Sequence, residues 1–302
     1  MSVTDPNPMQ LQYAVSEDAP LFLVHDASGT IFNYSLLGDL RRNVFAVYDP
    51  KFEREEGWSG GLPEMAREYV ALIRKVNPSR PIILGGWSLG GLVSLEMARI
   101  LDHERHLCGN DDDFAGPIVL GVIMIDTPYT PGWREHEAPL MKWAPNFPSR
   151  TPRQICERIV RRMTVYDKLL ESWDAPLWPG QGNGQTMVTG GTFRLRQGSI
   201  EPPVLLLKAA HRVYFPSSDG IVDVDLFRDE PTLGWSRYPA DLVKEVYEIP
   251  GHHFDIFDHA SRVKNMTKIL DQGCRKLSAG LVKNYQDLMY QRLTCNDAGT
   301  LQ

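Results

Sequence analysis

Short apolar runs alternate with stretches of helical periodicity along the first part of the chain. Residues 19–25 (Ala-Pro-Leu-Phe-Leu-Val-His) predict a buried strand, residues 34–40 a short helix and residues 43–48 the next strand. From 64 to 76, Met65, Tyr69, Val70, Leu72 and Ile73 recur at helical spacing and predict a crossover helix. Residues 81–84 form a further apolar run that breaks at Gly85 and Gly86, and Leu92, Val93, Leu95 and Met97 suit a following helix. Residues 118–125 predict a strand with Asp126-Thr127-Pro128 at its C-terminal end. This alternation predicts an α/β fold with a mostly parallel twisted sheet and helices on both faces.

The alternation stops at Tyr129 and resumes only with an apolar strand at 203–209. The intervening block holds Trp133, Trp143, Trp173 and Trp178, an Arg-rich helical stretch at 152–170 and a glycine-rich loop at 180–191. An insertion that opens where strands present their C-terminal ends, and whose aromatics need a groove to cover, is expected to act as a helical lid over residues 129–199. Residues 1–128 and 200–302 would then form one core, completed by a last strand at 245–249 and a long helix at about 258–293. The polar stretch 102–114, with Asp111, Asp112 and Asp113 adjacent, reads as a surface loop. Three neighbouring carboxylates cannot converge on an ion as alternate loop positions do.

Composition adds bounds rather than direction. A chain of 302 residues with 42% hydrophobic and 23% charged residues can bury a sizeable core. Its formal net charge of -6 argues against nucleic acid or an anionic membrane surface as a partner. Cys108, Cys156, Cys274 and Cys295 lack metal-type spacing and fit free thiols in a reducing, cytoplasmic setting. No apolar run is long enough for a membrane span, and residues 1–10 lack the apolar core of a leader.

Between the strand at 81–84 and the helix after it lies Gly86-x-Ser88-x-Gly90, the spacing of a nucleophile elbow. A sharp strand-to-helix turn would project Ser88 from the top of the sheet. The N–H of Leu89 at the new helix's positive end would then face a developing oxyanion. Alone, the same pattern describes a serine capping a helix. A loop of small residues, Asp26-Ala27-Ser28-Gly29-Thr30, follows the strand at 19–25, where this fold class supplies its second oxyanion donor. Ala27 is the candidate, with Ser28 next in line.

A serine hydroxyl needs a base, and the base needs an orienting acid. The chain order Ser, Asp, His of α/β-hydrolases leaves His252 and His253 after the last strand as bases. Asp126, at a strand end that holds it rigidly, is the preferred acid, with Asp219 and Asp223 as fallbacks. His25, near the oxyanion loop, is a candidate substrate contact.

Four motifs together resemble the thioesterase domains of polyketide and nonribosomal peptide synthases, most closely those of fungal polyketide synthases: Gly86-Trp87-Ser88-Leu89-Gly90-Gly91, Ile125-Asp126-Thr127-Pro128, Gly234-Trp235-x-x-Tyr238 and Gly251-His252-His253-Phe254. The likeness spans about residues 20–257. It implies an α/β-hydrolase fold, an acyl-Ser intermediate and a lid that shapes the acyl chamber. In that family the acid follows the earlier strand, which supports Asp126, and the catalytic histidine directly precedes Phe, which selects His253. The implied substrate is a polyketide-like acyl chain on an acyl carrier protein or coenzyme A, with no cofactor or metal. Arg150, Arg153, Arg158, Arg161 and Arg162 would offer a docking face for an acidic carrier, or form a solvated helix face. A carboxylester hydrolase would use the same triad. A non-catalytic ligand-binding protein would require a broken one.

Overall fold

Six of the seven strands in the main sheet run parallel, and five of those six are mostly buried apolar runs. The computed structural model describes residues 6–54, 56–77, 80–108, 116–137, 140–178, 187–188, 191–192, 201–214 and 220–297. The parallel strands are β2 (Leu21–Val24), β3 (Val44–Val47), β4 (Ile82–Trp87), β5 (Val119–Ile125), β8 (Val204–Ala209) and β9 (Val243–Ile249). A seventh, β1 (Met9–Gln12), pairs antiparallel with β3 at one edge, giving the order β1-β3-β2-β4-β5-β8-β9. Sequence reasoning missed β1 because its two glutamines and half-exposed residues lack a buried-strand signature. A separate two-stranded ribbon joins β6 (Met187–Val188) to β7 (Gly191–Thr192).

Helices cover both faces. On one side α1 (Gly61–Val76) and α2 (Leu89–Cys108) bury Leu62, Met65, Tyr69, Leu92 and Leu95 against Phe22, Leu84 and Met124. On the other, α4 (Ala260–Asp297) buries Val263, Met266, Leu270 and Cys274 against Leu23, Ile83 and Ile125. Cys156 and Cys274 are free thiols. Among the described residues no helix is long and apolar enough to cross a membrane.

Three local expectations change. Strand β4 does not break at its glycines but runs through them to Trp87. A Cβ on Gly85 would stand 2.6 Å from the Ile123 carbonyl oxygen of β5, so glycine is what lets the two strands pair there. The expected loop at 102–114 is helical as far as Cys108, the end of α2; Asp111–Asp113 fall outside the described residues. The short helix expected at 34–40 is a 3-10 turn at Phe32–Leu36.

Within the block after β5, α3 (Arg153–Ser172) turns Arg162, Tyr166 and Leu170 inward at intervals of four, one face of a helix. Arg162 therefore does not belong to a docking surface. Its side chain is wholly buried, with Nη1 donating to the Glu56 carbonyl at 2.8 Å and Nη2 donating to the carbonyls of Lys51 and Arg54. Its Nε lies 3.4 Å from the equally buried Asp49 carboxylate, which also accepts the Tyr166 hydroxyl at 2.6 Å. Arg150, Arg153 and Arg161 are exposed, and half-buried Arg158 pairs with Glu53. The tryptophans divide as well. Trp173 and Trp178 lie in the main core, Trp173 donating to the buried Glu96, whereas Trp143 stacks on Phe254 with centroids 4.6 Å apart.

Candidate active site

The strand-to-helix turn is built by close approach. Ser88 takes a left-handed backbone, φ 55°, strained for a residue with a side chain. Gly86 and Gly90 flank it because a Cβ on Gly86 would stand 2.6 Å from the Gly90 carbonyl carbon, and one on Gly90 would stand 2.8 Å from the His25 carbonyl oxygen. The turn is held from outside by Ser88 N–H donating to the Ile125 carbonyl at 2.9 Å and by the Thr127 hydroxyl donating to the Ser88 carbonyl at 3.0 Å. Thr127 is itself fixed: its carbonyl accepts the indole N–H of buried Trp235 at 2.9 Å. A second brace is the Tyr34 hydroxyl, which donates to the Val24 carbonyl at 2.6 Å and accepts the Trp87 N–H at 2.8 Å. Helix α2 starts at Leu89, so that residue's N–H is among those a helix start leaves without an intrahelical partner.

Three distant side chains meet above this turn. His253 Nε2 lies 3.0 Å from Ser88 Oγ, and its Nδ1 lies 2.8 Å from Asp126 Oδ2. An ionised carboxylate only accepts, so Nδ1 carries the proton and Nε2 is free to accept from the hydroxyl. Asp126, at the end of β5 with φ 44°, has both oxygens engaged. Oδ1 accepts the Ala209 N–H at 2.7 Å, and Arg228 forks onto both oxygens at 2.5 and 2.8 Å. Burial alone would push this carboxyl up, but hydrogen bonds from His253 and Arg228, and the Arg228 charge, hold it well below the usual carboxylate range. The rings of Trp87 and Phe254 stand 5.6 and 4.7 Å from the imidazole, so its surroundings are largely apolar.

The remaining candidates go elsewhere. Asp223 pairs with Lys142 at 2.9 Å and does not reach the histidine, and Asp219 lies outside the described residues. His252 accepts the Phe254 N–H on Nδ1 at 3.2 Å and faces Asp255 with Nε2 at 3.3 Å. His25 is fully buried, its Nδ1 2.6 Å from the Asp26 carbonyl and its Nε2 2.6 Å from the Tyr69 hydroxyl. A carbonyl cannot donate, so Nδ1 is protonated and Tyr69 donates to Nε2; burial also lowers this imidazole's basicity. That leaves His25 walled off as a support for the loop at 26–30. In that loop Ser28 donates its N–H to Asp26 Oδ1 at 3.0 Å, and its hydroxyl bonds Asp26 and Thr30.

Sequence reasoning did not find Arg228, Asp225 or Tyr34. Asp225-x-x-Arg228 has the spacing of neighbours on a helical turn, and that spacing was the only available signal.

Comparison with known proteins agrees with this architecture. The family model described as Thioesterase domain matches residues 19–146. Thioesterase frbE of Dothideomycetidae sp. (strain 11243) is 34% identical over 285 residues, which cover 91% of this chain and 98% of that one. A thioesterase of Fusarium pseudograminearum (strain CS3096) is 34% identical over 267 residues, covering 87% and 91% respectively. The crystal structure of the NocB thioesterase domain from the nocardicin cluster aligns with a TM-score of 0.56 at 22% identity, over 85% of this chain and 94% of that one, a likeness of fold. With relatives alike over nearly their whole length and a mostly parallel sheet carrying a strained serine in the turn after its central strand, the chain belongs to the thioesterase family and has the α/β-hydrolase fold.

Proposed function

We propose that the protein releases a polyketide-like acyl chain from the phosphopantetheine thioester of a carrier protein, or from coenzyme A, through an acyl-Ser88 intermediate. The observation that carries the acyl-Ser88 step is the unbroken chain of hydrogen bonds from Ser88 through His253 to Asp126, and the choice of a thioester over an ester rests on the likeness to thioesterases. Ser88 Oγ attacks the thioester carbonyl while His253 Nε2 takes its proton, and Asp126 stabilises the imidazolium so formed. The N–H groups of Leu89 and Ala27 hold the oxyanion; Ser28, whose N–H is already bonded within its loop, helps shape that loop. The thiolate leaves with the proton from His253, and water or an internal hydroxyl, deprotonated by the same imidazole, then frees the acyl group as acid or as a ring.

We read residues 129–199 as the cover of the acyl chamber, of which 138–139, 179–186, 189–190 and 193–199 lie outside the described residues. Helix α3 is its fixed part, tied down by Arg162. Residues 141–143 form a strap whose Trp143 stacks beside the catalytic histidine on Phe254. Ser88→Ala should lower turnover of an acyl thioester by about four to six orders of magnitude and leave the thermal melt in place. Turnover at the parent rate would remove the serine mechanism. Mass spectrometry after incubation with acyl-thioester analogues should place the acyl adduct on Ser88.

A further inference from the structure

Behind the triad acid lies a charged layer that the serine mechanism does not itself require. Arg228 follows the 3-10 turn at Asp223–Asp225, and every N–H of its guanidinium has an acceptor. Nη1 donates to Asp126 Oδ1 at 2.5 Å and to the Ala209 carbonyl at 3.0 Å. Nη2 donates to Asp126 Oδ2 at 2.8 Å and to the Val224 carbonyl at 3.3 Å. Nε donates to Asp225 Oδ1 at 2.8 Å. Asp225 Oδ2 accepts the Val213 N–H at 2.5 Å, and all three charged side chains are almost wholly buried.

The charges decide what this arrangement can do. Asp126 paired with Arg228 alone would be neutral, and a neutral pair does little to stabilise an imidazolium beside it. Asp225 restores one negative charge to the cluster. The buried group Asp126, Arg228 and Asp225 is therefore anionic while His253 is neutral, and becomes neutral when His253 accepts the Ser88 proton. Other groups facing His253 are the Ser88 hydroxyl, the rings of Trp87 and Phe254, and the Asp26 carboxyl at the end of β2, which acts on it through space. Neighbouring His252 is directed to Asp255, which Arg262 also pairs.

We infer that Arg228 and Asp225 are positioning residues for the reaction: Arg228 fixes the plane of the Asp126 carboxylate toward His253, and Asp225 supplies the negative charge that offsets Arg228, so that the cluster faces the imidazolium formed in the reaction as an anion. This rests on the serine mechanism proposed above. Opposite charge changes at the two positions must then move the acidic limb of the pH dependence of kcat/KM in opposite directions.

The test follows hydrolysis of an S-acyl N-acetylcysteamine thioester from pH 5 to 9 with the full chain, releasing a thiol that a colorimetric reagent reads. Asp225→Asn should move the acidic limb down by about one pH unit, and Arg228→Gln should move it up by a similar amount, the scale of one charge acting through a few ångström of protein. One such unit is a tenfold change in kcat/KM on the sloping limb. The double variant, with the cluster's net charge restored, should return the limb to the parent position while kcat stays reduced, because the fork on Asp126 is gone. Limbs that stay at the parent pH in both single variants, or that move in the same direction, would overturn the inference. Should Arg228→Gln fail to fold, the Asp225→Asn limb and that of Arg228→Lys, expected at the parent position, decide it. Full activity in Ser88→Ala and His253→Ala would instead fault the serine mechanism, a result separable from an unmoved limb in enzymes that need both residues.

Discussion

Replacing Arg162 with methionine would show how α3 is attached. The guanidinium donates to the carbonyls of Lys51, Arg54 and Glu56 and faces Asp49 at 3.4 Å, with both side chains fully buried. Methionine fills much of the stem's volume but leaves those carbonyls without their donor and Asp49 without its counter-charge. Among the described residues the carboxylate keeps the Tyr166 hydroxyl at 2.6 Å and the Lys51 N–H at 2.8 Å. Breaking a buried pair from one side costs about 3–5 kcal/mol, because the stranded charge is worse than the missing contact. Unfolding entropy of about 2.1 cal/mol/K per residue over 302 residues converts that into a fall in Tm of roughly 5–8 °C. Adding Asp49→Asn to Arg162→Met removes the stranded charge and should recover about half of the loss. Differential scanning calorimetry at one scan rate reads both numbers. If Arg162→Met melts within about 1 °C of the parent, the apolar contacts of Tyr166, Leu170 and Trp173 hold the helix and the buried ion pair does not.

Other expectations follow from the same structure. Asp126→Asn should lower kcat by about four orders of magnitude, because the amide can present a donor to His253 and stabilise the wrong tautomer. Asp223→Asn, which breaks only the contact with half-exposed Lys142, should change kcat less than about threefold; the reverse ranking would move the acid to the later loop. Glu96 is buried on α2, and burial raises its carboxyl above the usual range although Trp173 donates to it. Its folded-state affinity for protons exceeds the unfolded one, so stability is complete at acid pH and declines as pH rises above the ordinary carboxylate value. Glu96→Gln should flatten that decline in urea midpoints between pH 5 and 8, and an unchanged slope would mean that Glu96 titrates as an exposed acid does.

The chain's legibility followed where the physics is local. Five of the six parallel strands are visible because they are mostly buried and read as apolar runs, whereas edge strand β9 alternates exposed and half-buried residues; the elbow is visible because close backbone approach leaves no room for a side chain at Gly86 or Gly90. Strand β1 escaped notice because an edge strand can be polar, and β4 was cut short because glycines read as breakers when their actual role was to admit a neighbouring backbone. Charge misled most. Arg162 falls in register with Tyr166 and Leu170 on the buried face of α3, yet its residue type argued for solvent. Arg228 sits between apolar and acidic neighbours as any surface arginine would. The carbonyls and carboxylates that make burial of these two tolerable come from segments as many as 111 residues away, which no local pattern contains.

The Tyr34 phenol, which bridges the ends of β2 and β4, makes a single oxygen atom the last tie between two strands already paired along their length. The backbone before Ser88 hangs from one side of that oxygen and the strand leading into the loop at 26–30 from the other. A phenylalanine there would fill the same volume but leave the buried Trp87 N–H and the Val24 carbonyl without this partner, so that the pairing of Val24 with Gly86 holds the two strand ends alone. One hydroxyl therefore couples the seating of the Ser88 turn to the stability of the strands beneath it.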